Sequence, residues 1–413
     1  MAHKAEEVGT AKAHLDAISI LILGLLAGAF ISLGGIFSTT VIAGAGDAVP
    51  YGVARLLAGL AFCLGLVLVV IAGAELLVRG ASRLAITAGI SPLVVGLTVV
   101  AFGTSAPEVA VSVGAALEGK TDIAVGNVVG SNIFNVLFIL GISALIAPLI
   151  VHAQIIRQEV PIMVGASALL LAMIWDGSLS RLDAGILLAL LVAYTVFLII
   201  QSRKQTKATE DEYAAEAPKG AWDSHWAVQV LMVLAGLGLL VLGAGWLVDA
   251  AIAFAKALGV SDLVIALTIV AAGTSMPEVA TSITAAIKGE RDIAVGNVIG
   301  SNTFNILGCL GVSGLVSAGG LTMAPAILSF DIWVMLVVAL ACIPIFFTGR
   351  EIARWEGVVF LGYYIAYTAY LILASQQHDA LPLFSQVMLW FVVPLTVVTL
   401  VVAMMKTKTS STA

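Results

Sequence analysis

The sequence predicts an all-α polytopic membrane protein with a core of about ten transmembrane helices, arranged as an inverted repeat, and one extra helix at each end. Hydrophobic residues make up 61% of the 413 residues, charged residues make up 11%, and the mean hydropathy is +1.11. Soluble domains carry about 25% charged residues, so this composition excludes a soluble protein. Residues 92–141 and 262–311 align without a gap and are identical at 32 of 50 positions. The chain therefore contains an internal duplication.

Twelve apolar segments are long enough to cross a hydrocarbon core of about 30 Å. They cover residues 17–44, 54–78, 92–118, 122–148, 159–176, 182–202, 226–249, 262–287, 292–317, 325–348, 352–374 and 382–405. We expect five regions from this pattern. These are a tail with an extra helix (1–50), a first half (51–202), a cytoplasmic linker (203–224), a second half (225–374), and an extra helix with the C-terminal tail (375–413).

The charges between the spans predict the orientation. If both termini are cytoplasmic, 15 of the 19 Lys and Arg residues lie in inside segments and 4 lie outside, as the positive-inside rule requires. The span that holds Glu278 comes five spans after the span that holds Glu108. Because five is odd, the two copies cross the membrane in opposite senses, and the duplication is an inverted repeat.

Each copy places a G-T-S-x-P-E motif inside an apolar segment of helix length, ending at Glu108 and Glu278. Proline lacks a backbone N–H and clashes with the carbonyl one turn earlier, and glycine tolerates unwound backbone, so the motif predicts a broken helix. The carbonyl groups expected to be freed lie near Ala101, Thr104, Ala271 and Thr274. A charge left unpaired in hydrocarbon costs at least about 2.5–3.5 kcal/mol. The sequence therefore predicts that a cation is the partner of the two carboxylates.

The two copies closely resemble the paired repeats of the calcium/cation antiporter superfamily, in particular the prokaryotic sodium/calcium exchangers. GTSAPE and GTSMPE match the second helix of each half, and GNVVGSNIFN and GNVIGSNTFN match the third. The resemblance covers about residues 56–374. It implies a secondary antiporter in the plasma (inner) membrane of a prokaryote, and the charge distribution predicts that both termini are cytoplasmic.

The resemblance also implies a set of metal ligands shared between the halves. Calcium takes about six to eight oxygen ligands, so a site that alternates between calcium and sodium is expected to mix carboxylates with neutral oxygens. The implied side-chain ligands are Glu108, Thr104, Ser105, Ser131, Asn135, Glu278, Thr274, Ser275, Ser301 and Asn305. Backbone carbonyls are implied at Ala101 and Ala271. The Ser–Asn pair in each third helix is four residues apart and so lies on one helical face.

Structural roles compete with ligand roles at several of these positions. Serine and threonine in membrane helices often bond only to the backbone of their own helix, and this alternative stays open for Ser105, Ser131, Ser275 and Ser301. A single intramembrane glutamate can also be a structural hydrogen-bond partner, although two at symmetry-related breaks favour a site. Asn127 and Asn297 could either orient the site or cap a helix.

Asn305 departs from the pattern of many sodium/calcium exchangers, which carry an aspartate at this position. Both copies here end in S-N-x-F-N, so the pocket holds two formal negative charges. One calcium ion or two sodium ions would neutralise them. We expect Asn305→Asp to strengthen calcium binding, because another anionic oxygen would join the coordination shell, and to make the site sensitive to protonation.

Residues 17–75 additionally resemble the start of formate/nitrite channel proteins. This resemblance predicts an added helix followed by a first exchanger helix of channel-like sequence. The alternative is that small-residue-rich membrane helices look alike.

The predicted function is the exchange of calcium for sodium by alternating access. A calcium/proton antiporter, in which the two glutamates trade protons for calcium, and a passive ion channel are the alternatives. We expect no enzyme activity, because neither a nucleophile–base pair nor a phosphate-binding loop accompanies the carboxylates. The expected partners are membrane lipid and the transported cations, Ca²⁺ and Na⁺ with H⁺ as an alternative, and no cofactor is implied. The net charge of -6 offers no basic surface for nucleic acid.

Overall fold

A computed structural model describes residues 72–206, 225–257 and 271–399. The predicted leading span at 17–44, most of the next span and the linker beyond residue 206 lie outside the described residues. So do the first part of the predicted span at 262–287 and the C-terminal tail from residue 400.

The described residues form thirteen helices. Those of the first half are α1 (Ala72–Ala88), α2 (Pro92–Thr104), α3 (Ala106–Leu117), α4 (Thr121–Ile146), α5 (Ile155–Met173) and α6 (Arg181–Thr206). Those that follow are α7 (Trp226–Ala257), α8 (Ala271–Thr274), α9 (Met276–Lys288), α10 (Arg291–Val316), α11 (Ile327–Phe347), α12 (Arg354–Ser375) and α13 (Leu381–Thr399).

Among the described residues, seven helices are long and apolar enough to cross a membrane, and the bent pair α2–α3 makes an eighth candidate span. The helical, polytopic fold class is therefore confirmed. The boundaries also agree closely with the sequence, since the segment predicted at 122–148 is helical from Thr121 to Ile146.

In the part of the chain that the structure describes, four short strands connect the two halves. They are β1 (Leu149–Ile150), β2 (Ser178–Leu179), β3 (Leu321–Thr322) and β4 (Glu351–Ile352). The first and the last of these strands in the sequence, β1 and β4, pair antiparallel, and so do β2 and β3. Each pair therefore joins a connector of one half to a connector of the other.

The strand pairs fix the relative direction of the two copies. Helix α4 ends at β1, and α5 then runs from β1 to β2, so these two strands lie at opposite ends of the bundle. Helix α10 ends at β3, which pairs with β2. The carboxyl ends of α4 and α10 consequently lie at opposite ends. The predicted inverted repeat is present in the fold.

The helices that carry the repeat motifs occupy the centre. The hydrophobic stretch of α10 is entirely buried and most of that of α4 is buried, whereas only 11% of that of α12 and none of that of α13 is buried. Large apolar side chains such as Trp390 and Leu389 are exposed on α13, which suits a helix that faces lipid chains. The polar motifs are thus placed at the point farthest from lipid.

Glycine allows α10 to approach α2 closely. A Cβ added at Gly300 would lie 2.6 Å from the Leu97 carbonyl oxygen, and one at Gly296 would lie 3.1 Å from that of Leu93. Both neighbours are backbone atoms, so a side chain at Gly300 would force the helices apart. This contact holds the third helix of the second half against the broken helix of the first.

Cysteine labelling tests the inverted arrangement. Lys120 precedes α4 and Glu290 precedes α10, so Lys120→Cys and Glu290→Cys should react with membrane-impermeant thiol reagents from opposite sides. The measurement is modification of each single cysteine, in a background without the three native cysteines, in intact cells and in everted vesicles. Labelling of both positions from one side would contradict the fold. A protein that keeps only the native Cys342, which is buried, should react from neither side and serves as the control.

Candidate cation site

The motif breaks its helix at a single residue in each copy. Helices α2 and α3 meet at Ser105 with a bend of 44°, and Ser105 has φ -81° and ψ 8°. In the second copy Ser275 joins α8 to α9 with φ -85° and ψ 8°. The prolines lie in the first turn of the following helix, where a missing N–H costs least. The predicted break is therefore present as a sharp bend rather than as a longer unwound segment.

The bend leaves the Ala101 carbonyl oxygen partly engaged. It accepts the backbone N–H of Ser105 at 3.1 Å, so it is not freed in the way that the motif predicts. The Thr104 hydroxyl, whose shorter contact of 3.1 Å is to Asn297 Oδ1, also approaches this oxygen at 3.4 Å. The Ser301 hydroxyl of the other half approaches it at 3.5 Å. Ala271 is the first described residue of the second copy, and the surroundings of its side chain lie outside the described residues.

The two glutamates are buried and are bound crosswise by the halves. Both Glu108 and Glu278 have no exposed surface. The Ser105 hydroxyl donates to Glu278 Oε1 at 2.9 Å, and the Ser275 hydroxyl donates to Glu108 Oε1 at 2.8 Å. Each serine that bends a helix therefore holds the carboxylate of the opposite repeat. Ser301 adds a longer contact of 3.5 Å to Glu278 Oε1.

Five oxygen atoms of the predicted ligand set are buried without a hydrogen-bond partner. They are Oε2 of Glu108, Oε2 of Glu278, Oγ of Ser131, Oδ1 of Asn135 and Oδ1 of Asn305. A buried polar atom that lacks a partner costs about 1–3 kcal/mol. Carboxylate, amide and hydroxyl oxygens are hard ligands that suit Ca²⁺ and Na⁺. The unpaired oxygens therefore fit a desolvated hard cation.

Asn127 and Asn297 orient the site rather than cap a helix. The Asn127 side chain donates to the Glu108 carbonyl oxygen at 3.2 Å and to Ser112 Oγ at 3.0 Å. Its oxygen accepts the Thr274 hydroxyl at 3.2 Å. Asn297 repeats this pattern with Glu278, Ser282 and Thr104. Each asparagine thus connects the threonine of one broken helix to the glutamate of the other.

Asn132 and Asn302 belong to the site although the sequence reading did not select them. The Asn135 amide donates to Asn302 Oδ1 at 3.0 Å, and the Asn305 amide donates to Asn132 Oδ1 at 3.1 Å. Asn135 and Asn305 each begin a stretch of π-helix, a feature that is frequent at functional sites. The available signal was the identical S-N-x-F-N sequence in both copies.

The predicted side chains converge, and they do so through two kinds of contact. Glu108, Ser275, Glu278, Ser105 and Ser301 are joined by direct hydrogen bonds. Thr104, Thr274, Asn135 and Asn305 are joined to the opposite half through Asn297, Asn127, Asn302 and Asn132. Ser131 is buried one turn before Asn135 and has no hydrogen-bond partner. The described residues contain no cluster of three His, Cys, Asp or Glu side chains. Eight of the ten predicted side-chain ligands are neutral Ser, Thr or Asn residues.

Comparison with known proteins gives consistent matches. A family described as "Sodium/calcium exchanger protein" matches residues 57–200 and 228–373, and a family described as "Formate/nitrite transporter" matches residues 1–88. The Escherichia coli inner membrane protein YrbG is 40% identical over 324 residues, which are 76% of this chain and 97% of the relative. The sodium/calcium exchanger MaX1 of Methanosarcina acetivorans is 34% identical over 340 residues, 75% and 96% of the two chains.

The fold is similar to that of a solved exchanger. The structure of the sodium-calcium exchanger NCX_Mj has a TM-score of 0.63 and 32% sequence identity, and the match covers 74% of this chain and 95% of that chain. The exchanger match includes both repeats with their bends, their glutamates and their third helices. The formate/nitrite match ends before the first repeat and contains none of the site residues. The chain therefore belongs to the sodium/calcium exchanger family.

Proposed function

We propose that the protein is a secondary antiporter that exchanges calcium for sodium by alternating access. The observation that carries the proposal is the pair of buried carboxylates, each bound by the serine of the opposite half, together with the five buried ligand-set oxygens that have no hydrogen-bond partner. The relative MaX1 is a sodium/calcium exchanger, and NCX_Mj was studied with Na⁺, Ca²⁺ and Sr²⁺. The ligands are those predicted from the sequence, with Ca²⁺ and Na⁺ as transported substrates.

Charge explains why such a pocket would exchange ions rather than carry them together. Two ionised carboxylates are neutralised by one Ca²⁺ or by two Na⁺. Holding both sets at once would leave two excess positive charges in a buried site, and an unpaired charge there costs several kcal/mol. Calcium and sodium are therefore expected to exclude each other, which is the requirement for antiport.

The helices α1 and α7 are suited to move as one unit. A Cβ added at Gly236 of α7 would lie 2.6 Å from the Leu77 nitrogen of α1 and 2.7 Å from the Gly73 oxygen. At the other end of the contact, Gln229 donates to Thr87 at 2.8 Å. We propose that this pair slides past the central bundle of α2–α4 and α8–α10, opening the pocket to each side in turn.

The orientation follows from the charge distribution. We propose that both termini are cytoplasmic, in a prokaryotic plasma membrane, with the ends of the bundle near Glu290 and Arg350 facing inward. The linker (203–224) would then be cytoplasmic, between a first half (51–202) and a second half (225–374). The flanking segments (1–50 and 375–413) would be accessory. On this proposal lipid and the transported cations are the partners, and the protein has neither a cofactor nor an enzyme activity.

A calcium/proton antiporter is the second candidate, because two buried carboxylates could exchange protons in place of sodium. Calcium uptake into everted vesicles separates the two. Vesicles with an outward sodium gradient should take up calcium at a rate at least about tenfold above vesicles without a gradient. In an antiporter, sodium that leaves the vesicle through the pocket drives the entry of calcium. A proton gradient of the same size, with the membrane potential clamped, should give no such rise. Uptake driven by protons alone would favour the second candidate, and uptake with neither gradient would favour a channel.

Removing either carboxylate charge should abolish exchange. We expect Glu108→Gln and Glu278→Gln each to lower sodium-driven calcium flux at least about tenfold, because each variant removes one of the two negative charges that neutralise the bound ions. Glutamine keeps the size and one oxygen acceptor, so the protein should still insert. Glu159→Gln is the matched control, because Glu159 is a buried glutamate bound by Tyr194 at 2.7 Å outside the site. Normal flux in either site variant, or equal loss in the control, would contradict the ligand assignment.

Deletion of residues 2–48 tests the accessory role of the N-terminal segment. The exchanger match begins at residue 57, so we expect calcium flux per correctly oriented molecule to stay within about twofold of the full chain. Orientation must be measured with the Lys120→Cys label, because the leading span can direct insertion of the next one. Loss of normalised flux would place this segment in the transport mechanism.

A further inference from the structure

The amide groups of Asn132 and Asn302 have only one possible orientation. The Asn302 Nδ2 donates to the Asn132 carbonyl oxygen at 3.1 Å, and the Asn132 Nδ2 donates to the Asn302 carbonyl oxygen at 3.2 Å. A backbone carbonyl can only accept, so the nitrogen of each amide must face it. The second neighbour of the Asn132 nitrogen, Met335 Sδ at 3.7 Å, is also an acceptor. The side-chain oxygens of both residues therefore point the other way.

This orientation determines which side-chain atoms Asn135 and Asn305, here called the pocket asparagines, turn toward Asn302 and Asn132. The oxygen of Asn302 can only accept, so Asn135 must offer it Nδ2, and the oxygen of Asn132 likewise requires Nδ2 of Asn305. The remaining atom of each pocket asparagine is Oδ1. Both Oδ1 atoms are buried and have no hydrogen-bond partner. Asn302 thus determines that Oδ1 of Asn135 is the atom left to bind a cation, and Asn132 does the same for Asn305 from the opposite half.

We propose that Asn132 and Asn302 are positioning residues that turn the amide oxygens of Asn305 and Asn135 toward the transported cation. Asn132 thereby also requires a hydrogen-bond donor at position 305. This proposal rests on the proposed cation exchange. Asn132 and Asn302 lie outside the predicted ligand set, but they determine which side chains positions 305 and 135 can carry.

The pairing of Asn132 with Asn305 opposes an acid at position 305. An aspartate there would place a carboxylate oxygen where Nδ2 now lies, about 3.1 Å from Asn132 Oδ1, and two acceptors without a hydrogen between them repel each other. Asn132 cannot rotate to help, because its nitrogen would lose the Asn302 carbonyl. The added negative charge is therefore offset by a misplaced ligand, and Asn305→Asp alone should not strengthen calcium binding.

A crossed rescue experiment tests the pairing. Asn305→Asp and Asn135→Asp are each combined with Asn132→Ser and with Asn302→Ser, because a serine hydroxyl can donate to a carboxylate. The half-saturating calcium concentration of sodium-driven uptake should fall about tenfold, relative to the aspartate variant alone, in Asn305→Asp/Asn132→Ser and in Asn135→Asp/Asn302→Ser. The two other combinations, Asn305→Asp/Asn302→Ser and Asn135→Asp/Asn132→Ser, should show no rescue.

A second readout separates this inference from the proposed function. The thermal unfolding midpoint of each purified protein, in detergent without calcium, should follow the same crossed pattern, since the hydrogen bonds exist without the ion. Rescue in the uncrossed combinations, or equal rescue in all four, would overturn the positioning role. If the wild-type protein moved no calcium, the proposed function would fail, and the pattern of unfolding midpoints would still support or overturn the pairing.

Discussion

The burial of two carboxylates at the centre of a largely apolar protein is the constraint on which the structure depends. Neither Glu108 nor Glu278 can be left without partners in this environment, and each receives a hydroxyl from the opposite repeat. These hydroxyls belong to the serines at which the helices bend. The bends, the close contact of α10 with α2 through Gly300 and the central position of α4 and α10 all serve to bring the two motifs together.

The neutral residues around the carboxylates are arranged by the same principle. The asparagines and threonines around the glutamates are held by further polar groups; Asn127, for example, accepts the Thr274 hydroxyl and donates to Ser112. Such a network has few alternative arrangements, because most donors and acceptors are already assigned. The few atoms left without partners are then those that can meet an ion.

Much of the fold was predictable because apolar length and an exact repeat are strong one-dimensional signals. The spans of α4 and α12 agree with the sequence within a few residues, and the odd spacing of the copies predicted their opposite directions. The short strands were missed, because two-residue pairings such as Leu149 with Ile352 leave no periodic pattern. The break was predicted from Pro107, but its form was not. A proline in the first turn of α3 permits a sharp bend at Ser105 without a long unwound segment.

The site was predictable only in part. The glutamates were evident from the residues themselves, and the neutral ligands came from the family resemblance. Asn132 and Asn302 were missed because their importance lies in a contact between residues that are 170 positions apart. Asn127 was ambiguous for the same reason, since its partners Ser112 and Thr274 lie in different halves. An asparagine kept at the same position in both copies was the only available signal, and it does not name a partner.

The pairing of β1 with β4 and of β2 with β3 has a consequence for biosynthesis. When the ribosome has made the chain only as far as residue 206, both strands of the first half have open edges. The carboxylate of Glu108 also lacks the hydroxyl that will bind it, because Ser275 has not yet been synthesised. Until the second half is inserted, the first half therefore lacks the hydrogen bond from Ser275 to Glu108 and the partners of β1 and β2. The two copies have separate sequences but form a single folding unit, which is completed only when the last central helix is inserted.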